Sequence, residues 1–193
     1  MDLVTKHAII IDPGGDSDKI KKILDQHDIK KIDIFHTHAH CDHFLASGEL
    51  NDKFDAKLFL HKDDFFLWKS LKLQCEFLNI EYKPQPLPTG MIEHSQELTL
   101  GDQVIGQALH TPGHSPGSVC FLFSALGFLS SGDTLFQGSV GRTDLWGSDP
   151  KALERSLKDV ILKLDEGLSV IPGHGPNTTL AREFRENAFL KSL

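Results

Sequence analysis

The sequence predicts an α/β protein, and three features of the chain carry that expectation. It opens strand–helix–strand: a β-branched run at His7–Ile11, an amphipathic stretch at Ser17–Gln26, and an alternating run at Lys31–Phe35. Loops rich in histidine and aspartate recur along the chain, each directly after a strand-like run. A late apolar stripe of Leu153, Leu157, Val160, Ile161 and Leu164, opened by Asp149 and Pro150, has helical spacing and a helix start signal.

Taken in order, Asp12-Pro13-Gly14-Gly15 breaks the first strand. Asp16 or Ser17 is placed to cap the helix that follows, with Ile20, Ile23 and Leu24 on one face. The second strand feeds the loop His38-Ala39-His40-Cys41-Asp42-His43, and Phe44, Leu45, Glu49 and Leu50 are compatible with a helix beyond it. Residues 57–60 read as a strand and residues 63–78 as one or two helices. The aromatics of that stretch, Phe65, Phe66, Trp68 and Phe77, are expected in the core rather than in a substrate groove. Pro84, Pro86 and Pro88 mark an extended connection. Residues 98–100 and 104–109 read as strands, the second delivering the loop of His114. Residues 118–123 and 127–130 form a hairpin that ends at Asp133. Residues 150–164 are expected as one helix, 168–171 as the last buried strand before His174, and 178–190 as a terminal helix.

Length and composition set further limits. At 193 residues the chain is one domain or a close pair. No apolar run reaches membrane-spanning length and the N-terminus has no signal-peptide pattern, so a cytoplasmic location is expected. Cys41, Cys75 and Cys120 are odd in number and scattered, which implies no disulfide framework. A net charge of −7 argues against a nucleic-acid partner. It leaves room for an anionic substrate, because a metal ion dominates its local field.

The chemistry concentrates in the first loop, where three histidines and an aspartate fall within six residues. Imidazole nitrogen and carboxylate oxygen suit zinc, and also manganese or iron. His38 and His40, two residues apart, can aim at one ion, and Asp42 and His43 at a second. A chance histidine tract predicts nothing downstream, whereas a metal site predicts more ligands on later loops. They are present: His114 in Thr111-Pro-Gly-His-Ser-Pro-Gly117, Asp133 in Ser131-Gly-Asp-Thr134, and His174 in Pro172-Gly-His-Gly-Pro176. Of the other histidines, His7, His27 and His94 are expected at the surface, and His36 is a candidate outer partner of the ligands. Cys41 is expected to turn away from the ions. Arg142 has two open readings: an internal pair with Asp144, or a fork for a substrate carboxylate.

The motif His-x-His-x-Asp-His followed by a lone His, a lone Asp and a lone His resembles the metallo-β-lactamase superfamily. The local wording of Asp12-Pro-Gly-Gly-Asp16, Thr111-Pro-Gly-His-Ser-Pro-Gly-Ser118, Gly138-Ser-Val-Gly-Arg-Thr-Asp144 and Pro172-Gly-His-Gly-Pro-Asn-Thr-Thr179 is similar to short bacterial glyoxalase II-like hydrolases. The resemblance implies an αβ/βα four-layer sandwich spanning residues 1–193 as a single domain. Only eleven residues precede Asp12, so the usual N-terminal strand pair is expected to be shortened. The C-terminal helical domain that helps longer members bind glutathione is expected to be absent.

The resemblance also implies a ligand set. His38, His40 and His114 would hold one divalent ion, Asp42, His43 and His174 a second, and Asp133 would bridge them, zinc being the first choice of metal. Asp42 and Asp133 would handle protons and Arg142 would bind substrate. The activity implied is hydrolysis of a glutathione-derived 2-hydroxyacyl thioester. The alternatives are a persulfide dioxygenase with one iron, a hydrolase of another ester, lactam or lactone, and an inactive metal-stabilised scaffold. Nothing in the sequence sets the oligomeric state.

Overall fold

Short β-branched runs, each followed by a helix, can only pair in parallel, since the helix carries the chain back to its starting edge. The computed structural model, which describes residues 1–193, builds its first sheet this way. β1 (His7–Ile11), β2 (Lys31–Phe35), β3 (Lys57–His61) and β4 (Gly90–Ile92) lie side by side in chain order, every pair parallel. The crossovers are α1 (Ser17–Gln26), then a 3₁₀ turn at Cys41–His43 with α2 (Ser47–Phe54), then α3 (Phe65–Lys69) with α4 (Leu71–Leu78). Ile32, Ile34, Leu58 and Leu60 from the strands pack with Leu24, Leu50 and Trp68 from the helices. This unit comprises residues 1–92 and 99–103.

The second unit comprises residues 93–98 and 104–193. Its sheet runs β12-β11-β8-β7-β6-β5, from β5 (Glu97–Leu100), β6 (Gln103–His110), β7 (Val119–Phe123), β8 (Phe128–Gly132), β11 (Ser169–Pro172) and β12 (Thr178–Thr179). Between β8 and β11 come a two-stranded hairpin, β9 (Leu135–Phe136) with β10 (Ser139–Val140), and helix α5 (Pro150–Asp159). Helices α6 (Leu180–Glu186) and α7 (Ala188–Lys191) close the chain. Leu153, Leu157 and Ile161 pack with Leu129, Val170 and Leu180. The Asp149 carboxylate accepts from the N–H groups of Lys151 and Ala152, the cap expected before Pro150.

Several elements differ from expectation for local reasons. The helix expected over residues 150–164 is α-helical only to Asp159 and then tightens into a 3₁₀ turn at Ile161–Lys163, a common way to end a helix. The terminal helix expected over residues 178–190 begins as strand β12 and breaks at Asn187. There the backbone is extended and the side chain caps α7 by accepting from Phe189 N–H. Asp16 is left-handed and makes no side-chain cap. His7 is buried, not at the surface: its Nε2 lies 2.9 Å from Asp33 Oδ2, and its Nδ1 accepts from Gly101 N–H. The aromatic stretch does supply core, with Trp68 stacked on Phe44 at 4.0 Å, although Phe77 is exposed. Ahead of Asp12 stand strand β1 and an isolated bridge between Asp2 and His7. No helix is long and apolar enough to cross a membrane.

Candidate metal centre

Parallel pairing fixes where the first loop sits. Ile11 and Phe35, the last residues of β1 and β2, are in register, so the chain leaves both strands at the same edge. Asp12 follows one strand and His36-Thr37-His38 the other, and Asp12 N–H donates to Phe35 O. Loops at the carboxyl ends of neighbouring parallel strands are the usual place for a site in such a sheet.

The Asp12 carboxylate organises that edge. Its Oδ1 accepts from Thr37 N–H at 2.7 Å. Its Oδ2 accepts from Thr37 Oγ1 at 2.6 Å and from His43 Nδ1 at 3.0 Å. Because the Thr37 hydroxyl hydrogen points to Asp12, its lone pair faces His38 Nδ1, 3.0 Å away, which must then donate. Both imidazoles are thus held as the Nδ1–H tautomer, which makes Nε2 the nitrogen each could offer to an ion. Ligand atoms of Asp12, His38 and His43 lie within 4.8 Å of one another. The His38 ring centroid is 4.7 Å from that of His40 and 4.1 Å from that of His43. Asp42 Oδ2 lies 3.9 Å from His43 Nε2.

Three further contacts hold the backbone of this loop. Asp64 Oδ2 accepts from Ala39 N–H, Gln74 Oε1 from Cys41 N–H, and Gln74 Nε2 donates to Ala39 O. A Cβ at Gly14 would run into the carbonyl of Asp42, so only glycine lets the Asp12 loop approach so closely.

Register also converges the candidate ligands of the second unit. β8 and β11 are parallel with Gly132 opposite Pro172, which places Asp133 beside the loop of His174. Gly173 N–H donates to Gly132 O across that gap. β7 is antiparallel to both β6 and β8, so the loop from β6 to β7, which carries His114, emerges at the same edge. Asp133 Oδ2 lies 3.5 Å from His114 Nε2 and 3.6 Å from His174 Nε2. One carboxylate oxygen is therefore almost equidistant from two imidazole nitrogens. His114 Nδ1 donates to Arg142 O at 2.9 Å, again making Nε2 the nitrogen it could offer to an ion. A Cβ at Gly141 would strike the carbonyl of Asp133. His114 and Asp133 are buried, whereas the His174 side chain is 55% exposed.

The donor set fits divalent ions of intermediate softness. It offers imidazole nitrogens with fixed tautomers, carboxylates beside them, and outer oxygens on the far ring nitrogens. Of the residues expected from sequence, His38, His40, Asp42 and His43 gather in the first unit, and His114, Asp133 and His174 in the second. Arg142 makes a two-pronged pair with Asp144, Nε–Oδ1 2.6 Å and Nη2–Oδ2 2.8 Å, on an exposed loop. That pair raises the guanidinium pKa further and lowers that of the carboxyl.

His36 is not an outer partner of a ligand. Its Nδ1 donates to Phe59 O, its Nε2 accepts from Ser47 Oγ, and it packs edge-on against Trp68. Burial pushes its pKa down to about 4, so it is neutral. Cys41 turns into the core beside Cys75, where burial above all raises its pKa to about 12. Sequence reasoning passed over Asp12, Thr37 and Asp64 as participants. For Asp12 a signal existed: an acidic residue at the tip of a strand next to the ligand strand.

Comparison with known proteins agrees with this geometry. The model of the metallo-beta-lactamase superfamily matches residues 3–180. The chain belongs to the metallo-beta-lactamase superfamily. Its fold class is that of the superfamily, as the sequence implied. The chain is 33% identical over 188 residues to hydroxyacylglutathione hydrolase GloC of Haemophilus influenzae, covering 97% of this chain and 89% of that protein. The di-iron-bound form of TTHA1623 aligns with a TM-score of 0.86 and 40% identity, over 93% of this chain and 88% of that one. The B3 metallo-beta-lactamase BLEG-1 aligns with a TM-score of 0.83 and 36% identity, over 96% and 89% respectively. Membership of this superfamily of metallo-hydrolases makes a metal-binding hydrolase the class of the chain.

Proposed function

We propose that the chain is a dinuclear metal-dependent thioesterase that hydrolyses S-(2-hydroxyacyl)glutathione to glutathione and a 2-hydroxy acid. The observation that carries the dinuclear part is the position of Asp133 Oδ2, nearly equidistant from His114 Nε2 and His174 Nε2. A carboxylate so placed is suited to bridge. We assign His38, His40 and His114 to one divalent ion, Asp42, His43 and His174 to the other, and Asp133 to both. Zinc is the first candidate, with iron or manganese as alternatives. The thioester part rests on the likeness to GloC and on the loop wording around Arg142.

When bound, a pair of divalent ions supplies Lewis acidity and a water of lowered pKa at neutral pH. The chain does the rest. Asp12 and the Arg142 carbonyl hold His43 and His114 in the tautomer that ligates through Nε2. We assign to Asp42, exposed, and Asp133, buried, the task of taking a proton from the attacking water. The leaving thiolate needs little acid assistance. Arg142 shares its fork with an exposed Asp144, a partner that a glutathione carboxylate can replace.

The likeness to a B3 metallo-beta-lactamase favours a second reading, a β-lactam substrate at the same site. A panel of S-lactoylglutathione, a chromogenic cephalosporin and glutathione persulfide, assayed with metal-reconstituted protein, separates the readings. Turnover of the thioester above the others supports the proposal. Preferred lactam opening, or oxygen uptake with persulfide, overturns it.

A further inference from the structure

Glu183 on α6 is a buried carboxylate, 1% exposed, outside the ligand loops. Its Oε1 accepts from Thr178 Oγ1 at 2.6 Å. Its Oε2 accepts from Gly138 N–H at 2.7 Å and from Asn187 Nδ2 at 2.9 Å. None of these partners is charged, so ion pairing does not explain a carboxylate in this place. Burying one without a cation is costly.

Two of its partners, Gly138 and Thr178, lie on the segments next to the assigned ligands, and Asn187 reaches one of those segments. Gly138, in the left-handed region at φ +70°, is the turn of the β9–β10 hairpin. Asn187, itself buried, donates from the same amide to Ser139 O at 3.0 Å, so Glu183 and Asn187 grip both sides of that turn. The hairpin starts two residues after Asp133 and ends at Val140, directly before Gly141 and Arg142. Gly141 lies against the Asp133 carbonyl, and Arg142 O holds His114 Nδ1. The third partner, Thr178, opens β12, four residues after His174. Gln137 in the hairpin turn also reaches Asn177 O at 3.4 Å, closing the same gap.

We infer that Glu183 is a positioning residue for the metal centre: one buried carboxylate ties the hairpin between Asp133 and the His114 acceptor to the segment after His174, and so sets the spacing of all three ligands in the second unit. A bridging carboxylate and two imidazoles must be placed more finely than packing alone requires. A charged acceptor makes stronger bonds to N–H and O–H donors than a neutral one. The inference rests on the assignment of His114, Asp133 and His174 as ligands.

The test is zinc affinity, read by competition with a chromophoric chelator at a temperature where each protein is folded. Melting of the metal-free protein is measured alongside. Glu183→Ala is expected to weaken zinc binding about tenfold, the lower end of what outer partners cost. Thr178→Val, which severs only the arm toward His174, is expected to weaken it less while leaving the metal-free melting point near wild type. Glu183→Gln, which keeps an oxygen acceptor but not the charge, is expected to fall between Glu183→Ala and wild type. Its amide oxygen can serve Gly138 and Asn187, and the Thr178 hydroxyl can turn to accept from its NH₂. Leu122→Ala, a buried change on β7, which pairs with β6 and β8, lowers stability without the same loss of zinc. Should Glu183→Ala not fold, Thr178→Val and Glu183→Gln decide the matter. Wild-type zinc affinity in Thr178→Val, or a loss in folded Glu183→Ala no greater than that of Leu122→Ala, overturns the inference. A wild-type chain that binds no zinc overturns the ligand assignment itself.

Discussion

His43 Nδ1 lies 3.0 Å from Asp12 Oδ2, and the same carboxylate oxygen receives the Thr37 hydroxyl at 2.6 Å. This pairing turns a strand end into a device that fixes a ligand. Asp12→Asn would present an amide N–H₂ to at least one donor, so one of the three bonds must break. Metal affinity is expected to fall roughly 10- to 100-fold, with a smaller effect on the folding of the metal-free protein. Metal competition and thermal melting, run in parallel, check this. An affinity equal to wild type would remove Asp12 from the account.

Gly141 tests the other unit. A methyl group there meets the Asp133 carbonyl and the His114 Cβ. Gly141→Ala is expected to cost about 1–3 kcal/mol in stability. It should also lower metal occupancy, because the atoms that must yield belong to two ligand residues. Metal content per folded chain after dialysis reads the second effect separately from the first.

His36 has a folded-state pKa of about 4 against an ordinary value near 6.5. The folded chain keeps it neutral while the unfolded chain protonates it, so stability falls as pH drops through the window from about 6.5 to about 4. The full effect for this buried group is on the order of 3 kcal/mol, present above the window and lost below it. Two-bond ¹H–¹⁵N spectra should show His36 as a neutral Nδ1–H tautomer at pH 5.5. Titration with a midpoint near 6.5 would contradict the burial argument.

Arg142 and Asp144 form an exposed fork, so neither should matter much for folding. If Arg142 takes a substrate carboxylate, Arg142→Ala raises KM for S-lactoylglutathione about tenfold with kcat little changed. Asp144→Ala should lower KM, since a competitor for the guanidinium is gone. A fall in Tm with unchanged KM in Arg142→Ala would instead make the pair structural.

Much of this was legible in the sequence because the relevant signals are local. β1, α1 and β2 follow from runs of five to ten residues with one period each. Four of the candidate ligands fall within six residues, and His114, Asp133 and His174 each follow a glycine, so both signals are local. What was not legible depends on residues far apart in the chain. Thr178 and Thr179 join the sheet because β11 is there to pair with, a tertiary choice over helix. The burial of His7 depends on Asp33 and Gly101, 26 and 94 residues away. Asp12, Asp64 and Glu183 each hold a backbone N–H 25 or more residues away, a contact that leaves no periodic trace.

The most direct test of the central claim is a metal titration of the stripped chain, following S-lactoylglutathione hydrolysis against zinc added per chain. The account expects activity to saturate at about two ions per chain. Asp133→Asn should bind zinc more than about 100-fold more weakly, beyond the cost of losing an outer partner, and lose nearly all turnover. Full activity at one ion per chain, or an Asp133→Asn variant with wild-type zinc binding and turnover, would contradict it.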